Sequence, residues 1–109
     1  RALLRRDAAA GGSVLSVGDL EVDTARLAAS RGGRAVELTP KEFAVLRYLA
    51  SRPGAVVSTE ELLEHVWDEQ ADPFSATVKV TVMNLRRKLG PNQPIETVRG
   101  AGYRLAGAF

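Results

Sequence analysis

Not one cysteine occurs in the 109 residues, and histidine, tryptophan and methionine occur once each. Without thiols there is no disulfide framework and no thiolate zinc or iron-sulfur site, and the lone His65 cannot build a histidine-rich metal site. No metal or other cofactor is expected, and a reducing cytoplasm is the expected compartment. The longest apolar stretches are a few residues, against the roughly 20 that a membrane helix needs, and no signal peptide opens the chain. No membrane contact is expected. A Gly-x-Ser-x-Gly elbow, a phosphate-binding loop and metal-ligand spacing are also missing, so the chain does not read as an enzyme.

What is present is the ordinary balance of a globular domain, 45% hydrophobic and 26% charged, at a length that suits one domain with a small core. The net charge of +2 says little, but its distribution is uneven. Residues 73–109 hold Lys79, Arg86, Arg87, Lys88, Arg99 and Arg104 against Glu96 alone, whereas 7–72 hold twelve acids against six basic residues. A basic C-terminal third beside an acidic body is what a one-sided polyanion contact requires, although a solvated charged face gives the same pattern.

Residues 1–12, RALLRRDAAAGG, start as an amphipathic helical fragment and dissolve into Ala and Gly, so they read as a frayed helix end and a linker ahead of a domain at 13–109. From Ser13 to Glu37 the short runs VLSV, LEVD, RLAA and RAVEL, separated by turn residues, predict four antiparallel strands. Thr39-Pro40-Lys41-Glu42 is a capping box with proline at the first helical position, and predicts a helix over about 40–52 that Pro53-Gly54 stops. Ser58-Thr59-Glu60-Glu61 repeats the box ahead of a shorter helix carrying Leu62, Leu63, Val66 and Trp67. A polar loop with Pro73 follows, then a third helix over about 75–89, stopped by Gly90-Pro91. Ile95–Val98 and Tyr103–Leu105 predict a hairpin across Arg99-Gly100-Ala101-Gly102. The pattern is α+β.

On the third helix Val78, Val82, Leu85 and Leu89 fall in one sector and must face the core. The opposite sector holds Ala76, Val80, Met83, Asn84 and Arg87, small or apolar at one end and basic at the other. Such a face suits the major groove: Asn84 can bond a base edge, Arg87 guanine or phosphate, and Val80 and Met83 thymine methyl groups. For Val80 and Met83 the competing reading is packing on another element or simple exposure. Thr77 at the helix start suits a phosphate oxygen. Arg86 can bind phosphate or salt-bridge an acid, and of the three consecutive cations at least one serves the helix dipole. Arg99 on its Gly-rich tip suits a minor groove, with Thr97, Gly100 and Tyr103 beside it for phosphate; the alternative is a solvated turn arginine. Trp67 reads as core, with indole donation to phosphate as a lesser second role, and His65 as a helix-surface or satisfied, partly buried residue.

Three segments in order resemble the C-terminal effector domain of the OmpR/PhoB family of bacterial response regulators: LTPKEFAVLRYLASRPGAVVSTEELLEHVW at 38–67, TVKVTVMNLRRKLG at 77–90 and IETVRGAGYRL at 95–105. The resemblance implies a winged helix-turn-helix: an N-terminal four-stranded antiparallel sheet, three helices, and a C-terminal hairpin wing. It implies transcription control through sequence-specific binding of double-stranded promoter DNA, with two copies on direct repeats. The third helix enters the major groove and the wing arginine the minor groove. By the same resemblance Thr77, Asn84, Arg86, Thr97, Arg99, Gly100 and Tyr103 match positions that touch DNA, and with Ala76, Val80, Thr81, Met83 and Arg87 they make up the candidate site. The loop with Asp68, Glu69, Gln70, Asp72 and Phe74 matches where relatives contact RNA polymerase. RALLRR resembles the end of a receiver's last helix, which implies a sensor histidine kinase acting through a receiver that this chain does not contain. Lys79, Thr81 and Met83 depart from the family's usual residues there, so a different DNA sequence should be read. A winged helix used for protein contact, or one that binds RNA, is the competing class; steep salt dependence on duplex DNA separates them.

Overall fold

The computed structural model describes residues 14–67, 77–91 and 93–106. Strands β1 (Val14–Val17), β2 (Leu20–Asp23), β3 (Ala28–Arg31) and β4 (Arg34–Val36) form an antiparallel meander in the order β1-β2-β3-β4, the four strands expected. Each is short because turn chemistry interrupts it. Between β3 and β4 the glycines Gly32 and Gly33 both have positive φ (59° and 82°), which a two-residue hairpin of this hand demands and residues with a Cβ resist. Alternation then does the sorting: Leu20 and Val22 of β2 turn fully inward while Glu21 between them stays exposed.

Helix α1 (Pro40–Ala50) carries the complete capping box, with Thr39 Oγ1 accepting from the Glu42 amide (3.2 Å) and the Glu42 carboxylate accepting from the Thr39 amide (2.9 Å). It ends two residues before the expected boundary: the Ser51 amide still bonds the Arg47 carbonyl (3.0 Å), but the Arg52 amide bonds the Leu49 carbonyl three residues back (3.1 Å), which leaves the α pattern. Helix α2 (Thr59–His65) keeps only half of its box. Ser58 Oγ accepts from the Glu61 amide (3.0 Å), but the Glu61 carboxylate is drawn to the Tyr48 hydroxyl and to Arg52, stronger partners than its own N-cap amide. Helix α3 (Thr77–Leu89) buries Val78, Val82, Leu85 and Leu89 as the wheel requires. These pack with Val45, Leu46 and Leu49 of α1, Leu62 of α2, and Leu20 and Val22 of the meander in one core.

The C-terminal hairpin is part of a larger unit than expected. Strands β6 (Ile95–Val98) and β7 (Gly102–Leu105) are joined by a third, β5 (Val56–Val57), lying between α1 and α2 in sequence; the order is β5-β7-β6. A two-residue strand has no period for a sequence reading to detect. It fixes the wing nonetheless, since Val56 pairs Arg104 and the fully buried Val57 pairs Tyr103. Gly102, which the sequence places in the turn, is the first residue of β7, and a Cβ there would lie 2.0 Å from the Val57 carbonyl oxygen, so β5 and β7 approach each other only because that residue is glycine. Gly102→Ala is expected to cost at least about 2 kcal/mol in chemical denaturation, through overlap and through its φ of 147°, whereas Gly100→Ala, with open space around it, costs less.

Candidate nucleic-acid interface

Once the core sector of α3 is buried, Val80, Met83, Asn84 and Arg87 remain as one stripe at i, i+3, i+4 and i+7. Val80 is 44% and Met83 55% exposed, so among the described residues neither is covered by another element, and simple exposure stands as the competing reading. Asn84 is half-buried and Arg87 exposed; Thr77 and Thr81 are half-buried along the same helix. Ala76 and the loop residues Asp68, Glu69, Gln70, Asp72 and Phe74 lie outside the described residues, as do residues 1–12.

The wing lies beside the C-terminal half of this stripe. Arg99 and Gly100 are exposed at its tip, where the Ala101 amide closes the turn on the Val98 carbonyl (2.9 Å). Arg99 makes no side-chain hydrogen bond or ion pair with any described residue. Thr97 and Tyr103 face each other across β6 and β7, and both meet Arg86 of α3. Arg86 donates from Nη2 to Thr97 Oγ1, and its guanidinium carbon lies 5.7 Å from the centre of the Tyr103 ring. Its partner is thus a hydroxyl rather than the acid that one sequence reading allowed.

Two further cations of this region turn away from the open face. Lys88 Nζ reaches Glu42 Oε1 at 2.7 Å, so the carboxylate that completes the α1 capping box also anchors the last turn of α3. Burial pushes the Glu42 carboxyl up, but the Lys88 ammonium and the Thr39 hydrogen bonds together outweigh it and hold the group below the usual carboxylate range. From β3, Arg31 Nη1 donates to the carbonyls of Leu89 (2.8 Å) and Pro91 (2.7 Å), while its Nε pairs Asp19 Oδ1 (3.3 Å). It caps the negative end of the α3 dipole, beyond which Gly90 leaves the helix at φ 92°.

A family model described as transcriptional regulatory protein, C terminal, matches residues 33–105. The chain belongs to that family. It is 51% identical over 105 residues to the transcriptional regulatory protein CutR of Streptomyces coelicolor, an alignment that takes in 96% of this chain and 48% of CutR. The chain therefore spans about half the length of the curated relatives it matches. Among solved structures, the DNA-binding domain of Klebsiella pneumoniae RstA, in complex with the RstA box, superposes with a TM-score of 0.79 at 31% identity over 86% of this chain and 97% of that one. The DNA-binding domain of Escherichia coli CpxR gives 0.78 at 36% identity, over 88% and 98%. As an OmpR/PhoB-type effector domain the chain has the winged-helix architecture that its motifs imply.

Sequence reading left Arg31, Glu42 and β5 out of this family site. Glu42 was visible only as a cap, and the contacts of Arg31 with Leu89 and Pro91 bridge 58 and 60 residues, beyond any local pattern. Elsewhere Trp67 is half-buried under the Lys41 ammonium (5.5 Å from the ring centre), and His65 is a surface residue stacked on Tyr48 at 5.2 Å. Among the described residues no cluster of three or more His, Asp or Glu side chains is placed to hold a metal, and no helix is long and apolar enough to cross a membrane.

The Lys88 and Glu42 pair has a signature in acid. A carboxyl whose folded value lies below its unfolded value contributes stability that is complete above the unfolded value and is lost as pH falls through the folded one. Urea midpoints measured from pH 7 down to pH 3 are expected to fall more steeply for the wild type than for Glu42→Gln. Lys88→Met leaves a buried carboxylate with less compensation, which costs roughly 2 kcal/mol at pH 7 and moves the acid loss to higher pH. Parallel pH profiles for the wild type and Glu42→Gln would contradict the role given to this pair.

Proposed function

We propose that this chain binds duplex promoter DNA in a sequence-dependent way as the effector domain of a two-component response regulator, and so controls transcription. The observation that carries the reading is the continuity of two open features: the stripe of Val80, Met83, Asn84 and Arg87 on α3, and the exposed Arg99 on a wing fastened beside it. A helix of this width fits the major groove, where Asn84 and Arg87 offer hydrogen bonds to base edges and Val80 and Met83 offer apolar contact to thymine methyl groups. The wing then meets the adjacent minor groove, which Arg99 is long enough to enter. Thr77, Thr81, Thr97, Gly100 and Tyr103 flank these readers and supply phosphate contacts, Arg86 stands between helix and wing, and Ala76 belongs to the same candidate set. The RstA domain, which shares this fold, is found in complex with its own box.

The rest of the proposal concerns the longer protein. Two copies occupy direct repeats, the loop with Asp68, Glu69, Gln70, Asp72 and Phe74 meets RNA polymerase, and a receiver preceding the domain takes its signal from a sensor histidine kinase in the cytoplasm. Residues 1–12 are the end of that receiver and the linker, with the domain at 13–109. Lys79, Thr81 and Met83 set a base preference of this chain's own.

Salt titration of duplex binding tests the core of the proposal. The logarithm of the affinity is expected to fall linearly with the logarithm of salt concentration, with a slope near −4 if about four phosphates are neutralised. Arg99→Ala should reduce that slope by about one, and Asn84→Ala should relax selection at one base pair by roughly 1–3 kcal/mol when duplexes are selected from a random pool. A flat salt response, or equal losses from both substitutions on every sequence, would show that the domain works otherwise.

A further inference from the structure

We propose that Arg86 is a positioning residue that fastens the wing to α3, so that helix and wing meet DNA as one rigid body; the proposal rests on the DNA-binding reading above and concerns how that site is held. Three observations carry it. Arg86 reaches Thr97 on β6 and Tyr103 on β7 together, and these two residues are direct partners across the strands. One guanidinium thus holds both strands of the hairpin at the same level. The contact is made at the third rung from the open end of the ladder, with only the Val98 and Gly102 rung before the turn that carries Arg99. On its far edge β7 is held by β5 through Val57, so Arg86 supplies the matching restraint from the side of the helix.

The third observation is the state of the guanidinium itself. Its Nε is buried and has no hydrogen-bond partner among the described residues, while Nη2 on the same edge is committed to Thr97. An arginine serving only as a phosphate finger would keep that edge in water, because the edge formed by Nε and Nη2 is one of the two that grip an anion with paired hydrogen bonds. Here it is turned into the protein. The planar group lies against the Tyr103 ring and donates to a neutral hydroxyl, an arrangement that a lysine ammonium, a strongly hydrated point charge, does not reproduce.

The test has one arm without DNA and one with it. In the free 109-residue chain, Arg86→Gln is expected to speed hydrogen exchange at the amide of Ala101 and along β6 and β7 about tenfold, while the amides of α1 keep their protection. In duplex binding, Arg86→Ala and Arg99→Ala are each expected to lower affinity about tenfold. With the wing already loosened, adding Arg99→Ala to Arg86→Ala is expected to cost less than about threefold more. Arg86→Lys is expected to behave like Arg86→Ala. Unchanged exchange in the wing, losses that multiply in the double variant, or full rescue by Arg86→Lys would each overturn the strut and leave Arg86 as an independent phosphate contact. Failure of the wild-type chain to bind any duplex would instead remove the DNA-binding reading, while the exchange arm still decides whether Arg86 holds the wing.

Discussion

The open face of the domain depends on how the last turn of α3 is gripped. Four buried apolar residues set which side of the helix faces inward, but apolar packing tolerates sliding and rotation, and a groove reader must be fixed to within a fraction of a turn. Directional contacts supply that restraint. Glu42 meets Lys88 from α1 and Arg31 meets the terminal carbonyls from β3, so the helix is held from two layers at once. Each contact has one partner largely removed from water, Glu42 in the first and the Arg31 side chain in the second, where charge-assisted hydrogen bonds keep more of their strength than they do at the surface. Consequently the basic cluster at the end of α3 is not a uniform patch. Lys88 works inward, Arg86 sideways to the wing, and Arg87 is left for solvent or a ligand.

The N-terminal meander takes its place in this arrangement as support for the helix. Through Arg31 it delivers a cation to the negative end of the α3 dipole, and through Leu20 and Val22 it closes the core beneath α1. A sheet with no candidate site residue thereby governs the element that has most of them. The three-stranded sheet does the same for the wing, so both elements of the candidate interface are braced by parts of the chain far away in sequence.

Much of this was legible in the residues, and the failures share a cause. Capping, periodicity and turn chemistry are local, so the Thr39 box, the buried sector of α3 and the hairpin around Gly100 could be read from neighbours in sequence. The second box was read correctly for Ser58 and incorrectly for Glu61, because Tyr48 and Arg52 compete for that carboxylate from outside the helix. Strand β5 was missed because two residues carry no alternation, and its existence depends on a partner nearly fifty residues later. The exposed Val80 and Met83 were identified by their sector of the wheel, but only the structure showed that nothing within the described residues covers them.

The close approach of Gly102 to Val57 bears on how such domains diversify. A hairpin that stood alone could be exchanged between relatives as a cassette, carrying its recognition properties with it. Here the hairpin shares its ladder with the link between α1 and α2, so a transplanted wing needs its matching Val56 and Val57 and a glycine at their meeting point. The portable unit is therefore discontinuous in sequence. Recombination within the gene would tend to separate its parts, whereas point changes at the exposed tip leave the ladder intact and are the easier route to a new specificity.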